Sequence, residues 1–180
     1  MLGDLIDRGY GSKETLDFAM KLVDRGDALV IRGNHEQMAL DAYASGNFGH
    51  WFSNGGLVCH NQILGDKKYL DFMKSMPLIC SYGSFIFVHA GLNPEFPITN
   101  QYPEDLLWIR EPFIFNEIDT ESTIVVGHTA VQFIMEDVSV PIRHQNKIFM
   151  DTGAALGAKG GKVTVYDIHS ENFWQAKCIA

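Results

Sequence analysis

The sequence predicts an α/β fold, and two observations lead there. Helix-period segments alternate with short apolar runs through the first half of the chain, and three such runs end beside glycine and a ligand-type side chain. Ala28-Leu29-Val30-Ile31 precedes Gly33-Asn34-His35, Phe85-Ile86-Phe87-Val88 precedes His89, and Ile124-Val125-Val126 precedes Gly127-His128. Runs of this length fit buried strands. A strand that stops at such a residue delivers it to the crevice beyond the carboxyl ends of a sheet, where loops converge on a ligand while the strands stay rigid.

Taken in order, Ser12 predicts the N-cap of a helix that carries Leu16, Ala19, Met20 and Val23 on one face and ends near Gly26. Glu36 to Ala44 predicts a second helix, entered directly from His35. Lys67 to Ser75, with Tyr69, Leu70, Phe72 and Met73, predicts a third, stopped by Pro77. In the last third, Lys147-Ile148-Phe149-Met150 and Lys162-Val163-Thr164-Val165-Tyr166 predict strands, with Asn172 to Ile179 as one more. The glycine-rich stretch Gly153 to Gly161 lacks the Gly-x-x-x-x-Gly-Lys-Ser/Thr pattern of a phosphate loop and is expected to be a hairpin connection.

Four segments concentrate the chemistry: Gly3-Asp4-Leu5-Ile6-Asp7-Arg8-Gly9, Gly33-Asn34-His35-Glu36, His89-Ala90-Gly91 and Gly127-His128-Thr129. Asp4, Asn34, His89 or His128 alone would read as an ordinary turn or cap residue. Three of these segments stand in the same relation to a predicted strand, and all four join oxygen or imidazole donors to glycine. Together they describe a metal-dependent phosphoesterase site.

These segments, with Trp108-Ile109-Arg110-Glu111 and the closing Met150-Asp151-Thr152-Gly153-Ala154, resemble the bacterial and phage branch of the PPP-type serine/threonine phosphatases within the metallophosphoesterases. The resemblance implies a sandwich of two mixed β-sheets flanked by helices. It also implies roles. Asp4 would bridge two metal ions, with Asn34, His89 and His128 as the remaining ligands of one of them. Such donors suit manganese, with iron or zinc as alternatives. Two ions about 3.5 to 4 Å apart would clamp the phosphoryl group and lower the pKa of an attacking water, with no covalent intermediate. His35 matches the general acid and Asp7 the carboxylate that orients it. Arg8 and Arg110 match the phosphate-binding arginines, beside Asn34.

The implied substrate is a phosphoserine or phosphothreonine monoester on a protein. Dinucleoside tetraphosphates and small phosphate esters are the alternative, and a catalytically impaired pseudophosphatase that binds phosphorylated partners is a second. A departure from the family pattern motivates the last. The family begins with a strand ending in Gly-Asp-x-His-Gly and a helix, which have no counterpart ahead of Gly3. One metal site is therefore expected to be well formed and the other to keep only the Asp4 bridge. An unpaired sheet edge left by that strand would favour self-association. His50-Trp51 and Asn54-Gly55-Gly56 resemble a stretch near the substrate cleft of bacterial members, where an aromatic serves equally well as packing.

At 180 residues, 46% of them hydrophobic, the chain can bury one sizeable core, so residues 1–180 are expected to form a single domain, N-terminally incomplete by the family pattern. The net charge of −8 argues against nucleic acid or an anionic membrane as a partner. No apolar run approaches the roughly 20 residues of a membrane span, and no signal-peptide pattern opens the chain, which makes the cytoplasm the expected location. Cys59, Cys80 and Cys178 lack metal or redox spacing and are expected to be buried reduced thiols. A cysteine nucleophile would need a phosphate-cradling loop around it, and Leu57-Val58-Cys59-His60-Asn61 offers neither a run of glycines nor an arginine.

Overall fold

Helices build the first of the two units into which the chain divides, Met1–Leu78, and sheets build the second, Ile79–Ala180. The computed structural model describes residues 1–178, apart from the side chain of Ala158. Ile179, at the end of the last predicted strand, lies outside the described residues.

The first unit contains α1 (Ser12–Asp24), α2 (Asn34–Ser45), α3 (Gly49–Ser53), α4 (Leu57–Ile63) and α5 (Lys67–Ser75). Leu16 and Ala19 of α1, Met38, Ala39 and Ala42 of α2, Trp51 of α3, Cys59 and Ile63 of α4, and Tyr69 and Met73 of α5 meet in one apolar core. Spacings of three and four along each helix place these residues on one side. The α1 helix begins after Gly11, not at a capping Ser12, because the Ser12 hydroxyl is turned to the Asp7 N–H at 3.0 Å.

Ala28–Ile31 is buried at Val30 and Ile31 as an apolar run should be, yet it is not a strand. A strand needs a neighbour along its length. Here the Met1 amino group donates to Leu29 O, the Ile31 N–H donates to Met1 O and the Arg32 N–H donates to Pro77 O, which is one rung and no ladder. The Arg32 guanidinium donates to the carbonyl oxygens of Met73, Lys74 and Met76, tying this segment to the end of α5.

The second unit contains β1 (Ile79–Tyr82), β2 (Phe85–Val88), α6 (Pro103–Trp108), α7 (Glu111–Phe115), β3 (Thr123–Val126), β4 (Ile142–His144), β5 (Lys147–Phe149), β6 (Lys162–Tyr166) and β7 (Phe173–Lys177). Five strands form a mixed sheet in the order β1-β2-β3-β5-β4, parallel at β2–β3 and β3–β5 and antiparallel at both edges. The apolar run Phe85–Val88 is β2 itself, and Ile124, Val125 and Val126 of β3 are all buried, as expected for the centre of such a sheet.

Lys147 of β5 is fully buried. Its ammonium donates to Phe113 O at 2.8 Å and to Asn116 O, so its positive charge meets the last carbonyls of α7.

The connection from β5 to β6 is not a hairpin. The strand β6 pairs antiparallel with β7 in a second, two-stranded sheet, and the intervening Ala154–Lys159 forms a 3₁₀ turn entered through Gly153 at φ +79°. The architecture is the mixed α/β type the sequence predicts. No helix among the described residues is long and apolar enough to cross a membrane.

Candidate active site

In the first unit the site residues gather where the Gly3–Gly9 segment meets the start of α2. Gly3 (φ +83°) and Gly33 lie back to back: a Cβ on Gly3 would fall 2.4 Å from Gly33 N, and one on Gly33 would fall 2.2 Å from Asp4 Oδ1. Only glycine permits that approach.

Glu36, at the third position of α2 and fully buried, reaches back to accept the Gly33 N–H at 2.8 Å and the Asp4 N–H at 2.9 Å on Oε2, and the Leu5 N–H at 2.7 Å on Oε1. It thereby closes one half of a capping box and pins the preceding loop with the same carboxylate. Asp4 Oδ1 in turn accepts the His35 N–H at 3.1 Å in the first turn of α2, where the positive end of the helix dipole favours a carboxylate.

Asn34 and His35 are buried in that turn. His35 Nδ1 lies 2.6 Å from Asp7 Oδ2, and the side chains of the pair are 3% and 0% exposed. Trp51 Nε1 donates to the same oxygen at 2.8 Å. Arg8 is exposed, its backbone at φ +58°, and Gly55 packs beside its side chain. Asp4 (φ +53°) and Asp7 (φ +73°) are also held in the left-handed region, a cost of about 1–3 kcal/mol for each such residue that recurs at functional loops.

In the second unit the imidazoles stand at the carboxyl ends of parallel neighbours. His89 follows β2 directly, and His128 (φ +62°) comes two residues after β3. The Gly127 N–H donates to His89 O at 2.9 Å and sets the two loops edge to edge. His89 Nε2 and His128 Nδ1 are 3.2 Å apart, with ring centroids at 5.0 Å and His89 buried. Two imidazole nitrogens so directed are a donor set for a borderline divalent ion such as manganese, iron or zinc. Arg110 precedes α7 and is exposed, its guanidinium donating to Thr129 Oγ1 at 3.1 Å beside His128. Asp151, from the Met150–Ala154 motif, follows β5 and accepts the Gly153 N–H.

The sequence offers Glu36 only as the start of a helix, and Trp51 only as an aromatic near the substrate cleft or in packing. Glu36 could have been found from its spacing after Gly33. Nothing in periodicity places an indole beside a carboxylate 44 residues away. An Asp-x-His triplet does occur further along the chain, at Asp167-Ile168-His169. It lies in the β6–β7 turn, where Asp167 accepts the His169 N–H at 2.9 Å and the Ser170 hydroxyl, and His169 is exposed.

Of the thiols, Cys59 alone is buried, its pKa pushed up to about 12 by that burial, whereas Cys80 and Cys178 are half-buried, contrary to expectation. Cys80 lies on β1, an edge strand of the five-stranded sheet, and Cys178 just beyond β7, where its N–H donates to Gly161 O, so neither position is covered on all sides. A thiol held protonated in an apolar core is no nucleophile.

The model of the calcineurin-like phosphoesterases matches residues 1–164. The chain belongs to that family. It is 31% identical over 172 residues to serine/threonine-protein phosphatase 1 of Salmonella typhimurium, spanning 88% of this chain and 74% of the relative. A symmetrical bis(5'-nucleosyl)-tetraphosphatase of Neisseria meningitidis is 29% identical over 100 residues, which is 55% of this chain and 34% of that protein. A crystal structure provisionally assigned as a diadenosine tetraphosphatase matches with a TM-score of 0.74 at 16% identity, covering 98% of this chain and 78% of the other, and so shares the fold.

Proposed function

We propose that this metallophosphoesterase hydrolyses phosphoserine and phosphothreonine monoesters. The buried His35–Asp7 pair at 2.6 Å carries the reading. A serine or threonine alkoxide is strongly basic and leaves only if it is protonated. The nucleoside polyphosphate released from a dinucleoside tetraphosphate is weakly basic and leaves without that help, so an oriented acid is of most use against an alkyl ester. The longer match to a serine/threonine-protein phosphatase points the same way.

In this reading Asp4, His89 and His128, whose ligand atoms lie within 4.8 Å of one another, would hold a divalent ion together with Asn34; the carboxylate and imidazole donors fit manganese, and iron or zinc as well. Such ions, when bound, supply polarisation of the phosphoryl oxygens and a water acidic enough to serve as nucleophile. The chain's own groups do the rest. Arg8 and Arg110 grip phosphate oxygens with planar forks and offset the charge that develops on them. Asp7 keeps His35 Nδ1 protonated and turns Nε2 toward the leaving oxygen. As the bond from water oxygen to phosphorus forms, the bond to the serine oxygen breaks, and the proton on Nε2 passes to that oxygen. The products are the free hydroxyl and inorganic phosphate.

Release of phosphate from a phosphoserine peptide in manganese, with diadenosine tetraphosphate left intact, is the expected result. The reverse preference would favour the reading that the tetraphosphatase relative suggests, and metal binding without turnover of either would make the chain a pseudophosphatase. His35→Asn should lower turnover of the phosphopeptide by roughly 10² to 10⁴ and affect 4-nitrophenyl phosphate, whose leaving group needs no proton, far less. Equal losses on both would remove His35 from the acid's role.

A further inference from the structure

We infer that Trp51 is a positioning residue for the acid, fixing the Asp7–His35 pair through its indole N–H. The inference rests on the reading of His35 as the acid and deepens it.

Asp7 Oδ2 accepts from Trp51 Nε1 at 2.8 Å and lies 2.6 Å from His35 Nδ1, while Oδ1 is buried with no partner among the described residues. An indole N–H can only donate. Oδ2 is therefore an acceptor toward Trp51, and an indole N–H donated to it stabilises the ionised carboxylate, which favours His35 Nδ1–H as the second donor. The indole thus favours the arrangement in which His35 keeps a proton on Nδ1 toward Asp7 and Nε2 faces outward, free to carry the proton that the acid gives up. It also holds the carboxylate rotamer. A buried oxygen left without a donor is costly, and turning the carboxylate would relieve it; Trp51 and His35 acting on one oxygen oppose that turn.

The indole is itself immobilised. Trp51 is 1% exposed. A Cβ on Gly56 would stand 2.3 Å from Nε1, so the glycine backbone lies flat against the ring. Tyr43, Phe52 and His60 close the other sides, with ring centroids at 5.8, 5.9 and 6.1 Å. A side chain that served as packing alone would need no such alignment of its one polar atom.

Trp51→Phe keeps the ring and removes the donor. In the full chain we expect its kcat on a phosphoserine peptide to fall roughly tenfold, short of the loss from removing the acid itself, with KM and metal content unchanged and with kcat on 4-nitrophenyl phosphate within about twofold. Tyr43→Phe, a change in the same aromatic cluster that touches neither Asp7 nor His35, should show no such dependence on the leaving group. Equal loss on both substrates, or none on either, would overturn the inference.

Two spectroscopic readouts stand apart from activity. In wild-type protein the Trp51 Nε1–H proton resonance should move upfield on Asp7→Asn, and the ring nitrogens of His35 should report one tautomer that becomes mixed in Trp51→Phe. An indole resonance indifferent to Asp7→Asn overturns the inference even if the phenylalanine variant does not fold. If His35→Asn shows no leaving-group dependence, the acid reading falls while the nitrogen spectra still decide whether Trp51 positions the pair.

Discussion

At the scale of single residues the first unit is organised by carboxylates that each serve more than one group. Glu36 accepts three backbone N–H groups, from Gly33, Asp4 and Leu5, and so determines where Asp4 is offered. Glu36→Ala should lower the unfolding free energy by about 2 to 4 kcal/mol, since buried donors lose a charged acceptor; chemical denaturation measures this, and a change under 1 kcal/mol would mean that water replaces the carboxylate at little cost. Asp4, Asn34, His35, His89 and His128 stand out as candidates in the sequence because each lies within two residues of glycine, and the structure gives Asp4 and His128 a left-handed backbone. Glu36 and Trp51 do not stand out. Their importance lies in which atoms they face, and facing is decided by packing between segments far apart in the chain.

At the scale of elements, what was legible followed local rules. The α5 helix has an Asp66 cap, whose carboxylate accepts the Lys68 N–H at 2.9 Å, and a stop at Pro77, so its bounds were readable from composition alone. The strands β2 and β6 were readable from their apolar and alternating patterns. Ala28–Ile31 carries as good a pattern and fails, because strand character belongs to a pair of segments and not to one. Sheet membership was likewise hidden: β5 and β6 look like successive strands of a hairpin and belong to different sheets. The α2 helix ends on Gly46 at φ +74°, with open space around the position a Cβ would take. Gly46→Ala should therefore cost about 1 kcal/mol from backbone strain alone, with catalysis untouched. Thermal unfolding and a phosphatase assay on the one variant check both halves.

At the scale of the whole molecule, the chain belongs to a family of metal-dependent phosphoesterases, and the proposed ligand set would make stability depend on the ion. A ligand that binds only the folded chain stabilises it by RT ln(1 + [L]/Kd), about 2.7 kcal/mol at a hundredfold excess over Kd. Manganese at that excess should raise the unfolding midpoint of the wild-type chain, and a chelator should reverse the rise. Asp4→Asn should abolish most of it; a variant that gains as much as the wild type would show that Asp4 is no ligand. The charge of −8 does not oppose a phosphorylated substrate, because the groups proposed to meet phosphate are two exposed arginines and a cation.

The contact between Gly3 and Gly33 has a consequence for anyone wishing to move this chemistry elsewhere. Because no residue is smaller than glycine, neither position has an alternative occupant that could be accommodated by adjusting its neighbour. The aspartate loop and the helix entrance are thus one indivisible graft: a designer who transplants either stretch into a new scaffold must carry both, in their present mutual spacing, or obtain neither.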